Sequence, residues 1–135
     1  EETNPDAQVM VTFINSWFDP PAAKEAALAM IDSGADVMFA ERFGVIEAAV
    51  ERDVWVFGMM PDQHELGPEN VITGPMWNMR PTVEYALAQI RAGTFVAQDL
   101  RDFSMMAKGG SVLAPYHGMD QYIPEELVTA GGQRQ

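Results

Sequence analysis

Four aromatic side chains stand where an alternating strand–helix chain would end its strands: Trp17 and Phe18, then Phe43, then Trp77. Several rings at strand ends make a flat apolar wall with few polar groups, which suits a planar ring ligand. The same rings can close the top of a hydrophobic core, and spacing leaves both roles open for each one. Asp62, in the run Gly58-Met59-Met60-Pro61-Asp62-Gln63, can accept a hydrogen bond from a ring N–H or a hydroxyl. Pro-Asp is also a common turn pair, so a turn role stands equally beside that one. Asn15, at the end of the first apolar run, offers an amide to the same ligand edge. The candidate ligand-binding residues are therefore Asn15, Trp17, Phe43, Asp62 and Trp77.

Catalytic and metal chemistry finds less support. There is no Gly-x-Gly-x-x-Gly after a strand, no Gly-Lys-Ser/Thr phosphate loop and no Gly-x-Ser-x-Gly elbow. The chain has no cysteine, which excludes disulfides, thiol catalysis and thiolate metal sites. His64 and His117 lie far apart without metal-ligand spacing, so neither a metal nor a cofactor is expected. An enzyme of the same architecture would use Asp62 or Glu41 as general base. No Ser or Lys in these loops has a histidine beside it to complete a nucleophile–base pair. A binding domain is expected rather than an enzyme, with no catalytic residues.

Those loops need a scaffold, and composition permits one. The 135 residues suit a single domain, and 47% of them are apolar, enough for an ordinary core. The formal charge of −12 repels phosphate backbones, so nucleic-acid binding is not expected. No apolar run approaches the roughly 20 residues that span a bilayer. The opening Glu1-Glu2-Thr3-Asn4-Pro5-Asp6 has no basic start and no apolar stretch, so no signal region is read in it. The ten methionines are read as core gap-fillers.

The apolar periodicity alternates strand and helix. Gln8–Ile14 reads as a buried strand. Asp19 caps a helix opened by Pro20-Pro21 and stopped by Gly34. Asp36–Ala40 is the next strand, Gly44–Arg52 a second helix, and Val54–Gly58 a third strand. Val71-Ile72-Thr73 offers a fourth. Pro81 opens a helix with Val83, Ala86, Leu87 and Ile90 facing inward, ended by Gly93. Ser104–Met106 and Ser111–Ala114 read as a hairpin around Gly109-Gly110, and Glu125-Glu126 open a short helix after Pro124. The order predicts an α/β fold, a doubly wound parallel sheet covered on both faces. Ligands of such sheets sit beyond the carboxyl ends of the strands, at loops 15–19, 41–44, 59–64 and 74–78.

At these loops the sequence resembles the basic membrane protein family of ABC-importer solute receptors, in its purine nucleoside-receptor group. The matching stretches are Asn15-Ser16-Trp17-Phe18-Asp19-Pro20, Ala22-Ala23-Lys24-Glu25-Ala26-Ala27, Gly34-Ala35-Asp36-Val37, Gly58 through Gln63 and Val71-Ile72-Thr73. Ala92-Gly93-Thr94-Phe95 and Gly109-Gly110-Ser111-Val112 fit as well. The resemblance covers Val9 to about Pro124. It implies one lobe of a type I periplasmic-binding-protein fold, mostly the second lobe, in residues 1–128. Residues 71–95 are then a segment that crosses to the first lobe, and residues 129–135 a flexible tail.

The resemblance also implies a function: a periplasmic or extracytoplasmic solute receptor, lipid-anchored or held at the membrane by its transporter, that hands a purine to an ABC permease. The alternative is a ligand-sensing module of a signalling or regulatory protein. Three departures bear on the ligand. Met60 replaces the first of two acids after the third strand, leaving Asp62 as the second. Thr73-Gly74-Pro75-Met76-Trp77-Asn78 has no counterpart of a ribose-holding lysine. Glu41-Arg42-Phe43-Gly44 replaces a Gly-rich loop. The resemblance therefore implies a free nucleobase ahead of a nucleoside. The apolar surface of the Val71–Phe95 region, made to meet another lobe, is expected to find a substitute when that lobe is absent, by self-association or by folding back on this lobe.

Overall fold

The computed structural model describes residues 4–99 and 108–132. Helix α1, Pro20–Asp32, forms where the sequence places it. The Asp19 carboxylate accepts a hydrogen bond from the Ala22 N–H at 3.1 Å, which satisfies one of the open donors of the first turn. The helix closes at Ser33, whose N–H reaches the carbonyls of Ala29 and Met30. Strand β1, Val37–Phe39, leads into α2, Val45–Arg52, and strand β2, Trp55–Phe57. Ala23 and Ala27 of α1 are buried together with Val45, Ile46, Ala48 and Ala49 of α2. Small side chains let the two helices approach closely.

β1 and β2 pair in parallel, with Met38 opposite Val56, and both side chains point into the alanine-rich helix pair. Beyond β2 the pairing continues as single links. Val56 donates to Asn70 and accepts from Ile72, and Gly58 donates to Thr73, each within 2.9–3.0 Å. A further parallel bridge joins Met60 to Met76 in strand β3, Pro75–Trp77. β3 then pairs antiparallel with β4, Ser111–Leu113, with Trp77 opposite Ser111. Helix α3, Arg80–Ala92, lies between them in sequence, and helix α4, Glu125–Gly132, follows β4.

Several expectations are corrected. Gln8–Ile14 does not form a strand: no described segment pairs with it, and Phe13 is 83% exposed. A strand exists only through its ladder partner, and apolar composition cannot supply one. The fourth strand begins at Pro75, so Trp77 sits inside a strand and not in the loop after it. The face of α3 predicted to point inward is uncovered, with Val83, Leu87 and Ile90 exposed and no buried residue along the helix. α1 and α2 share one core on one face of the β1–β2 pair, while Val37 and Phe39 on the other face remain exposed. The Trp55 and Tyr122 rings, 5.2 Å apart, meet beside that second face. Of the predicted hairpin, Ser111–Leu113 forms and pairs with β3, whereas Ser104–Met106 lies outside the described residues. The last helix continues to Gly132, past Thr129 where the polar tail was expected to begin.

Candidate functional site

One contact between the helix starts builds the site. Gly44 has φ +107°, and a Cβ there would fall on the Pro20 carbonyl. Only glycine allows this approach without strain. It brings the loop that follows β1 against the loop that precedes α1. Ala40 N–H donates to the Phe57 carbonyl at 2.8 Å, which fixes where the 41–44 loop leaves the sheet.

Two side-chain contacts result. The Arg42 guanidinium carbon lies 5.3 Å from the Trp17 ring centroid, and the Phe18 and Phe43 rings meet edge to face at 6.1 Å. Arg42 Nη1 donates to the Glu41 carbonyl at 3.0 Å and also to the Glu41 carboxylate. Donor and acceptor are thus held side by side. A cleft of about 290 Å³ opens beside them, lined by residues 12–17 together with Glu41 and Arg42. That volume lies near the lower end for small-molecule sites. Asn15, at φ +55°, adopts a left-handed turn that amides tolerate. Trp17 is 89% exposed, so its ring is open to stacking.

The remaining predicted residues lie elsewhere. Asp62 Oδ1 accepts from the His64 backbone N–H at 3.1 Å, and Oδ2 lies 2.7 Å from His117 Nε2. An ionised carboxylate can only accept, so with Asp62 charged this contact takes Nε2–H as its donor. These two hydrogen bonds, that from His117 the stronger, hold the Asp62 carboxyl below its ordinary range. The imidazoles of His64 and His117 stack at 4.2 Å and 16°. The crevice beside Asp62, lined in part by Gly58, Gln63, Thr73 and Ala114, has no room for a water molecule. Trp77 is exposed on β3. The structure therefore unites Asn15, Trp17 and, through Phe18, Phe43. Asp62 belongs to a separate histidine-bonded turn.

Sequence reasoning missed Arg42 as a partner of Trp17 and the pairing of the two histidines. The Glu41-Arg42-Phe43-Gly44 departure was the available signal for the first; nothing in the spacing signals the second. Among the described residues no group of three or more His, Asp or Glu is placed to hold a metal ion. No helix among them is long and apolar enough to cross a membrane.

Comparison with known proteins gives a consistent setting. The family described as ABC transporter substrate-binding protein, PnrA-like, matches residues 1–108. A Haloferax volcanii protein, provisionally named as the glucose-binding protein of an ABC transporter, is 35% identical over 96 residues, 70% of this chain and 25% of its own. A purine-binding protein of Brucella abortus is 29% identical over 121 residues, 88% of this chain and 34% of its own. A solved ABC transporter solute-binding protein from Conexibacter woesei superposes with a TM-score of 0.67 at 26% identity, over 98% of this chain and 44% of that one. The chain thus spans about a quarter to a third of the curated relatives, and its fold is that of periplasmic binding proteins.

Proposed function

The chain belongs to the PnrA-like family of ABC transporter substrate-binding proteins, and from that premise we propose that it carries the ligand-binding surface of an importer receptor for a free purine base. The family is one of substrate-binding proteins, not enzymes. The observation that carries the ligand class is the open indole of Trp17 at a cleft rimmed by Asn15, Glu41 and Arg42. Stacking a base on an aromatic ring contributes on the order of 1–3 kcal/mol. A second lobe closing over the ring would exclude water and strengthen the polar contacts at its edge. The purine-binding relative from Brucella supports the same class.

Charge and shape narrow the ligand. Among the described residues Arg42 is the one cation lining the cleft, and Glu41 neutralises it, whereas a phosphate needs several donors or a cationic clamp. Met60 and Trp77, the positions that the family resemblance matches to ribose-holding residues, offer no pair of groups for two hydroxyls and do not line this cleft. Asn15 and Trp17 are assigned to the ligand, with Phe43 supporting the wall through Phe18. Asp62, held by His117, is assigned to its turn. The receptor acts outside the cytoplasm and passes the base to a permease. Calorimetry of the full-length protein with adenine, adenosine and AMP tests this, with affinity expected to fall in that order. Adenosine binding about tenfold tighter than adenine, roughly 1.4 kcal/mol, would overturn the nucleobase assignment.

A second reading is a hexose, favoured by the name of the Haloferax relative. An indole face with a carboxylate, a guanidinium and an amide around it also fits a sugar's C–H face and hydroxyls. A glucose titration in the same experiment separates the two.

A further inference from the structure

We infer that Glu41 and Arg42 together read the edge of the bound ring, and that the pair selects a 6-oxopurine over a 6-aminopurine. The inference rests on the purine reading above. Both residues line the cleft beside Trp17, with the Arg42 guanidinium 5.3 Å from the indole centroid, so a ring taking the guanidinium's place over the indole would displace it to that ring's edge, next to Glu41. Their loop is held at both ends, by the Ala40–Phe57 hydrogen bond and by the packing of Gly44 on Pro20. Arg42 uses Nη1 on Glu41, while its remaining N–H groups and the second carboxylate oxygen make no hydrogen bond among the described residues. The carboxylate can still accept, and the guanidinium fork can still donate.

The order of donors and acceptors along a purine edge decides the match. A 6-oxopurine presents the N1–H donor, then the O6 and N7 acceptors. A carboxylate takes the first, and a guanidinium takes the other two as a bidentate pair. Adenine reverses the first two positions. Its N1 lone pair would face the Glu41 carboxylate, and its amino group would face the Arg42 donors. Two mismatched polar groups in a closed site discriminate more strongly than a lost apolar contact. The internal ion pair also leaves the edge reader without net charge, which suits a neutral ring.

The test is calorimetry of the full-length protein with hypoxanthine and adenine, on the wild type, Glu41→Gln and Trp17→Ala. Wild type is expected to bind hypoxanthine at least about tenfold tighter than adenine, the low end of what a bidentate pair confers. Glu41→Gln is expected to lower that ratio, because an amide can donate to adenine N1, while the mismatch of the adenine amino group with Arg42 remains. Trp17→Ala is expected to weaken both bases alike and keep the ratio. Equal binding of the two bases by wild type, or a ratio that Glu41→Gln leaves unmoved, overturns the edge assignment while the purine receptor stands. Binding of neither base removes both.

Discussion

Nε2 of His117 lies 2.7 Å from Oδ2 of Asp62, a bond that ties the turn after β2 to the turn after β4. The His64 ring stacked on His117 and the His64 N–H bonded to Asp62 make the turn a closed unit. Met60 and His117 both take left-handed backbone conformations beside it, at φ +74° and +52°. Such conformations persist where surrounding bonds hold them.

This bond gives stability a pH dependence of known sign. The hydrogen bonds from His117 and from the His64 N–H hold the Asp62 carboxyl below the ordinary aspartate range in the folded chain. Its contribution is present in full above the unfolded value and is lost as pH falls through the lower folded value. Asp62→Asn is expected to lower the urea midpoint at neutral pH, with the gap to wild type closing in strong acid. A gap of the same size in both conditions would show that the carboxylate charge is not involved.

Removing the Asp19 cap should weaken α1. Asp19→Ala is expected to cost roughly 0.5–2 kcal/mol, while Asp19→Asn retains most of the stability because an amide oxygen can still accept from Ala22. Denaturation midpoints of the two variants check the assignment; identical midpoints would remove it.

Gly34 and Gly44 share φ +107°, yet only Gly44 has backbone where a Cβ would go. Gly34→Ala is expected to cost roughly 1–3 kcal/mol from conformation alone. Gly44→Ala is expected to cost more, and also to weaken ligand binding by moving Arg42 from Trp17. Equal losses in the two variants would mean that the helix starts are not in contact.

Trp17 separates binding from folding because its ring is almost wholly exposed. Trp17→Ala is expected to weaken base binding by on the order of 1–3 kcal/mol, with the denaturation midpoint unchanged. Unchanged affinity would dismiss stacking as the source of recognition.

The uncovered face of α3 should associate. Val83, Leu87 and Ile90 recur at helical spacing and are all exposed. Sedimentation of the 135-residue chain is expected to show self-association that rises with concentration and falls in Leu87→Lys. A strictly monomeric chain would contradict this.

The sequence by itself determined the local elements. Asp19 with Pro20-Pro21 starts α1, Gly93 ends α3, and the short apolar runs around Met38 and Val56 become β1 and β2. Caps, stops and periodicity act within a few residues, so they can be read in order along the chain. Phe43 was legible for the same reason, just past a recognisable strand, whereas Trp17 and Phe18 follow a segment that forms no strand and are placed only by the Asp19 cap of α1. Tertiary structure decided which elements meet. Gln8–Ile14 has the composition of a strand but no described partner to bond to, and Val83, Leu87 and Ile90 leave the apolar face of α3 exposed. Neither outcome is written in a residue's own neighbourhood, because pairing and burial depend on what the rest of the fold brings alongside. The same holds for Arg42 against Trp17 and His117 against Asp62: each contact joins separate loops, and only the packing of Gly44 on Pro20 and of β4 beside β3 places them within reach.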